Sequence, residues 1–367
     1  MTERPLRIAN FIPSLAGGGA ERVVINLCKS FPRDNVQPIL VTASLDGPFV
    51  KNIPADVEVV DLGCHGVRQA IRPLRRYLST ADVDLFISHM SHTNLATLLA
   101  ARPLRRRNIR LPTLAIVEHM TMSAYQGKKL RDKFIRPLAR RLYQQADHIV
   151  AVSHAAARDL ETELRLPPQR VITIYNPVVS SHIEELAAVP LTHPFLDSPH
   201  PLLVAAGRLS AQKDFTTLLK AFAHLQSTTA SQLVILGDGE DRGLLEALIK
   251  EFGLTDQVCL FGFTDNPYQW MRRADLFVLS SRWEALPTVL IEAIACGCNV
   301  ISTDCPSGPA EIMGDEFSHR LVPLGNPQQL ARGIEEALQK PLSPQQLRDL
   351  ASRFEFSTAA QQYIDLA

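Results

Sequence analysis

Short apolar, β-branched runs alternate with helix-patterned stretches along almost the whole chain, and the alternation stops once, near the middle. Runs that are continuously apolar are buried on both faces, so they belong to parallel sheets covered by helices. Strands are predicted at Arg7–Ile12, Gln37–Thr42, Val57–Asp61, Leu85–Ser88, Thr113–Glu118, His148–Val152 and Val171–Ile174. Helical patterns include Ala20–Phe31, Val67–Leu78, Lys128–Gln145 and Ala155–Leu164. Residues 177–201 hold five prolines and little periodicity, which reads as an interdomain linker. Strands then resume at Leu202–Ala206, Gln232–Leu236, Val258–Phe261, Leu276–Ser280 and Asn299–Thr303. Helices fit Phe215–Leu225, Gly243–Phe252, Val289–Cys296 and Pro327–Leu338, with a last amphipathic helix over Ser357–Ala367.

A chain of 367 residues suits two such α/β domains. The boundaries expected are 1–180, 181–355 and a C-terminal helix, 356–367, that packs back on the first domain. The longest apolar runs, such as Leu114–Val117 and Leu276–Leu279, are too short to cross a bilayer, and Met1-Thr-Glu-Arg-Pro carries no signal-peptide core. A cytoplasmic protein is expected. Its six cysteines show no zinc spacing, and no metal or other cofactor is expected.

The formal net charge of zero conceals a split. Residues 1–180 carry 25 Lys and Arg against 15 Asp and Glu, whereas residues 181–367 carry 13 against 23. The first half is therefore expected to meet something anionic.

Ligands of open parallel sheets bind beyond the carboxyl ends of the strands, which makes the strand-to-helix loops the places to read for chemistry. Gly17-Gly18-Gly19-Ala20-Glu21-Arg22 precedes a helix but fits neither a dinucleotide fingerprint nor a Walker loop. Its glycines let backbone approach a ligand, and the helix start favours anions. Gly207-Arg208 follows a strand, and Lys213 comes soon after; two cations at the mouth of a sheet suit a diphosphate. Gly237-Asp238-Gly239 is a further tight turn. Glu284 and Glu292 stand eight positions apart, the first in a loop and the second two turns into a helix. They are too far apart to share a proton, but can accept hydrogen bonds from hydroxyls at two places on an extended ligand. Asp82-Val83-Asp84 precedes an apolar strand and reads as a helix-to-strand turn rather than a metal site.

In this order and spacing, the Gly17–Arg22 loop, Gly207-Arg208 with Lys213, Gly237-Asp-Gly239 and the Glu-x7-Glu element resemble the retaining glycosyltransferases of family 4 across essentially the whole chain. The resemblance implies the GT-B fold, two Rossmann-like, doubly wound parallel-sheet domains facing across a cleft. It implies a nucleoside-diphosphate sugar, expected to be a UDP-sugar, as donor. Glu284 would contact the donor sugar and Glu292 the ribose. Arg208 and Lys213 would neutralise the diphosphate, helped by backbone near Leu286, Pro287, Thr288 and Val289. Gly18 and Gly19 would lie near the donor phosphates, with Gly207, Gly237 and Asp238 completing the donor loops. His119 matches a family histidine near the reacting sugar. Ala285 departs from the glycine that many relatives carry there. A sugar-nucleotide epimerase on the same fold, or a nucleotide-sugar-binding protein without catalysis, is the rival reading.

Arg105 and Arg106, together with Lys128, Lys129, Arg131 and Lys133, form strongly basic stretches. Leu130, Phe134, Leu138 and Leu142 recur among the second set at four-residue spacing. Such a helix suits an anionic membrane surface, here the cytoplasmic face of an inner membrane. A core-facing stripe with a solvated basic back fits the same pattern. No aromatic platform accompanies the charge, so nucleic acid is not an expected partner. The acceptor is expected to be a saccharide or lipid-linked saccharide of cell-envelope polysaccharide or lipopolysaccharide synthesis.

Overall fold

The computed structural model describes residues 4–123 and 132–367. Strands β1 (Leu6–Ile12), β2 (Val36–Thr42), β3 (Glu58–Asp61), β4 (Leu85–His89), β5 (Thr113–Glu118), β6 (His148–Ala151) and β7 (Val171–Thr173) form one parallel sheet. Its order is β3-β2-β1-β4-β5-β6-β7. Strands β8 (Leu202–Ala206), β9 (Gln232–Leu236), β10 (Val258–Gly262), β11 (Leu276–Leu279), β12 (Val300–Thr303) and β13 (Leu321–Val322) form a second parallel sheet, ordered β10-β9-β8-β11-β12-β13. These are two Rossmann-like parallel sheets, as the resemblance implies.

The central strands are apolar because helices cover both faces of each sheet: all of β8 and Ile8–Ile12 of β1 are buried. The helix Phe215–Leu225 turns Phe215, Leu218, Leu219, Phe222 and Leu225 into the core with Leu233, Ile235 and Val278. Such burial contributes roughly 1.5–3 kcal/mol for each large side chain before entropy is charged against it. Gly333 lets the helix Pro327–Gln339 lie close on β12, since a Cβ there would sit 2.6 Å from Ile301 Cδ1.

The chain divides into two compact units, Met1–Val178 with Phe354–Ala367, and Val179–Arg353. Within the first, the final helix Phe356–Ile364 packs on the helix Gly19–Ser30. Phe354 anchors the return: its ring lies 5.1 Å from Tyr175, and its carbonyl accepts from Val178 N–H at 3.0 Å.

Residues 177–201 are more ordered than a linker. Ser181–Ala187 is a helix that buries Ile183 and Ala187 against the short helix Tyr268–Met271, and Pro194–Asp197 is a 3-10 turn. The prolines leave 178–189 free, and two buried apolar residues suffice to dock so short a helix. The helix Ser91–Arg105 is absent from the sequence reading because Thr93, Asn94 and Thr97 are buried, so no apolar stripe marks it. Lys128–Arg131 lie outside the described residues, and the helix expected from Lys128 is described as Asp132–Leu142, followed by a 3-10 turn, Tyr143–Gln145. Of its expected apolar stripe, Leu142 is buried and Leu138 is exposed. Asp84 joins the starts of β1 and β4, accepting from Arg7 N–H at 2.8 Å and pairing with Arg4.

The order in which successive strands are added reverses between β1 and β4 in the first unit and between β8 and β11 in the second. These are topological switch points, beyond whose strand carboxyl ends open α/β sheets bind their ligands.

Candidate functional site

In the second unit, the loops after β8 and β11 converge on the switch point. Lys213 Nζ donates to Glu284 Oε1 at 2.6 Å, and Ser281 Oγ donates to the same oxygen at 2.7 Å. The loops are laced together around that pair. Arg282 N–H donates to Gln212 O at 2.8 Å, Gln212 Nε2 to Trp283 O at 2.9 Å, and Ser280 Oγ to Lys213 O at 2.7 Å. Arg282 also pairs at 2.9 Å with Asp214, the buried cap of the helix Phe215–Leu225. From β12 and the loop beyond it, Thr303 Oγ1 donates to Ser281 O at 2.6 Å and Ser307 Oγ to Glu284 O. Glu284 is thus fixed from three strand ends.

Two glycines make room for this. Gly237, at φ +132°, stands so close to Gly207 that a Cβ would lie 2.0 Å from its carbonyl oxygen. Gly207, at φ +150°, lets the Lys213 stem lie against it, where a Cβ would meet Lys213 Cε at 2.8 Å. Arg208 is exposed at the same mouth. Asp238 is also exposed, accepting from Gly239 N–H at 2.8 Å.

The helix Thr288–Ala295 starts just beyond Glu284. Pro287 caps it and has no N–H to give, so backbone donors here belong to Leu286, Thr288 and Val289. Glu292 is buried just over one turn into the helix, not two, with Tyr268 OH 3.5 Å from its Oε1. Among the described residues no group of three or more His, Cys, Asp or Glu is placed to hold a metal ion.

In the first unit, His89 ends β4 and His119 follows β5, so the parallel pairing sets the two rings side by side. His89 Nδ1 lies 3.0 Å from His119 Nε2, and His89 Nε2 lies 3.0 Å from Asn10 Oδ1 on β1. Burial holds both rings uncharged, lowering His119 to about 4 and His89 well below its ordinary range. Next to them Glu118 accepts from Ser91 Oγ at 2.8 Å, Asn94 Nδ2 at 3.1 Å and the Tyr143 hydroxyl. Burial raises the Glu118 pKa, and those donors oppose the shift. The sequence reading singled out His119 alone. His89, the last residue of β4, directly follows the expected strand Leu85–Ser88 and was open to the same rule; Asn10, Ser91, Asn94 and Tyr143 carry no local signal.

The glycine loop after β1 is shaped from outside. Gly47, at φ +110°, packs onto it so tightly that a Cβ would lie 2.1 Å from Leu15 O. Gly18 precedes the helix Gly19–Ser30 without a side-chain cap, and a Cβ there would meet Glu21 Oε2 at 2.5 Å; Gly19 faces open space. Arg105 pairs with Asp147 at 2.7 Å and donates to Gln145 O near the amino ends of β5 and β6, while neighbouring Arg106 is exposed. Lys133 lies in the helix Asp132–Leu142; Lys128, Lys129 and Arg131 lie outside the described residues.

Residues 17–182 match the family model Glycosyltransferase Family 4, and residues 194–354 match Glycosyl transferases group 1. Over 353 residues the chain is 29% identical to N-acetylgalactosamine-N,N'-diacetylbacillosaminyl-diphospho-undecaprenol 4-alpha-N-acetylgalactosaminyltransferase of Campylobacter jejuni, covering 91% of this chain and 90% of that one. It is 35% identical over 143 residues to lipopolysaccharide core biosynthesis glycosyltransferase LpsE of Rhizobium meliloti, covering 38% and 41% of the two chains. The crystal structure of Anabaena Alr3699/HepE in complex with UDP-glucose superposes with a TM-score of 0.76 at 22% identity, covering 98% of each chain.

Proposed function

The chain is a glycosyltransferase of group 1, family 4, on the GT-B fold, and from that premise we propose that it performs a retaining transfer from a UDP-sugar. The acceptor in this reading is a saccharide or lipid-linked saccharide of cell-envelope polysaccharide synthesis. The Campylobacter relative's name specifies a saccharide carried on diphospho-undecaprenol as acceptor, and the Anabaena neighbour was solved with UDP-glucose.

The observation that carries the reading is the Lys213–Glu284 pair at the second switch point. Lys213 and exposed Arg208 supply the positive charge that a departing diphosphate needs, and the helix-start N–H groups of Thr288 and Val289 add dipole. Glu284 keeps Oε2 for a sugar hydroxyl while Lys213 and Ser281 occupy Oε1. A carboxylate so heavily hydrogen-bonded is a poor nucleophile, which favours orientation and charge stabilisation over a covalent intermediate. Glu292 serves the ribose, and His119 the transferred sugar. No metal ion has a part in this scheme.

The test incubates the purified chain with UDP-, GDP- and ADP-sugars and reads nucleoside diphosphate release, then the anomeric configuration of the product by NMR. UDP release with an α-linked product from an α-donor is expected. A β-linked product overturns retention. No stabilisation or turnover with any of these nucleotides at millimolar concentration overturns the transferase reading.

We infer peripheral membrane attachment of the first unit from the basic, Leu138-bearing helix. No helix among the described residues is long and apolar enough to span a bilayer. Salt-sensitive co-sedimentation with anionic liposomes is expected, and its absence at low salt sinks the inference.

A further inference from the structure

His119 is tied to the interior of the first unit by a two-step hydrogen-bond chain through His89 to Asn10. A neutral imidazole has one donor nitrogen and one acceptor nitrogen, so a chain of two has a direction. Asn10 sets it. Its Nδ2 donates to Cys28 Sγ at 3.8 Å. Asn10 Oδ1 therefore faces His89 Nε2 at 3.0 Å and accepts from it. His89 Nδ1 is left with a lone pair, which accepts from His119 Nε2–H at 3.0 Å. The remaining nitrogen, His119 Nδ1, then carries a lone pair and no proton.

We propose that Asn10 and His89 are positioning residues that hold His119 in its Nε2–H tautomer, making His119 Nδ1 an acceptor that selects a hydroxyl on the transferred sugar. The proposal rests on the reading above in which His119 meets that sugar. Burying His89 completely is costly unless both ring nitrogens are bonded, and an apolar side chain would fill the end of β4 more cheaply. Bonding both nitrogens in series, with His119 at the outer end, gives the chain a function that a buried apolar residue lacks. The chemical consequence is specific. A hydroxyl donates to Nδ1, whereas fluorine in its place has no proton to donate.

Two measurements test this. In histidine-labelled protein, two-bond proton–nitrogen NMR is expected to show His89 and His119 both protonated at Nε2. In a deoxyfluoro series of the accepted donor, one ring position is expected to lose about tenfold in kcat/KM, the loss of one neutral hydrogen bond. That discrimination should vanish in His119→Ala and shrink in His89→Phe. It should persist in His89→Gln, whose amide both donates and accepts. If His89→Phe does not fold, Asn10→Leu removes the terminal acceptor and gives the same expectation. A His119 signal protonated at Nδ1, or full discrimination in a folded His89→Phe with the tautomer unchanged, overturns the proposal. If His119→Ala keeps full turnover, the sugar contact itself is wrong, and the histidine spectrum still decides separately whether Asn10 and His89 fix the tautomer.

Discussion

Lys213 Nζ lies 2.6 Å from Glu284 Oε1, and the two side chains are only 15% and 9% exposed. They arrive on loops after neighbouring strands, 71 residues apart in sequence. Two charges so far removed from water must compensate each other, and a bound diphosphate would compete with Glu284 for the same ammonium. Lys213 and Glu284 thus cancel each other's charge, and exposed Arg208 is left as the net positive charge at the mouth.

Removing one partner strands the other. Lys213→Ala and Glu284→Ala should each cost about 2–4 kcal/mol in urea unfolding, and the double variant less than their sum. Each should also lower turnover by roughly 10²–10³. Strictly additive losses in the double-mutant cycle would mean that the pair contributes nothing as a pair.

Arg208 is exposed at the same mouth, so its removal should separate binding from stability. Arg208→Ala should change the unfolding free energy by no more than about 0.5 kcal/mol while weakening donor binding and its dependence on salt. Unchanged donor affinity would take the diphosphate away from this residue.

Much of this site could be read locally. Strands such as Thr113–Glu118 and Leu202–Ala206 were legible because burial on both faces leaves an uninterrupted apolar run. Lys213 and Glu284 were legible because both follow such strands. What puts them together is the adjacency of β8 and β11, which no local pattern encodes. His89 follows an apolar run as His119 does, but its hydrogen-bond partners appear only once β4 lies between β1 and β5. The helix carrying Ser91 and Asn94 was hidden by its own buried polar residues, of which Asn94, together with half-buried Ser91, holds Glu118 in place.

Glycines that open the site should behave differently from those that line it. Gly237→Ala puts a Cβ 2.0 Å from Gly207 O at φ +132°, where backbone rather than a flexible side chain must move. A loss of about 2 kcal/mol or more is expected, with Lys213 displaced and turnover reduced. Gly19→Ala meets nothing within 4 Å and should leave the melting temperature nearly unchanged. Any fall in its turnover would then report a methyl group in the path of the donor. Equal stability losses in the two variants would contradict this division.

Acid sensitivity should originate in the histidine pair. Burial lowers His119 from 6.5 to about 4 and moves His89 in the same direction. The unfolded chain therefore takes up protons on these rings at a pH where the folded chain does not. Stability is unaffected above the ordinary histidine range and is lost as pH falls from about 6.5 towards about 4. Glu118, whose pKa burial raises, works with the opposite sign, because its buried charge is relieved as pH falls. Urea unfolding at about pH 7 and about pH 5 should show the wild type losing stability. A His89→Gln, His119→Asn double variant should lose distinctly less over the same interval, since neither new side chain titrates and Glu118 is untouched. Parallel losses in the two proteins would place the acid-labile groups elsewhere.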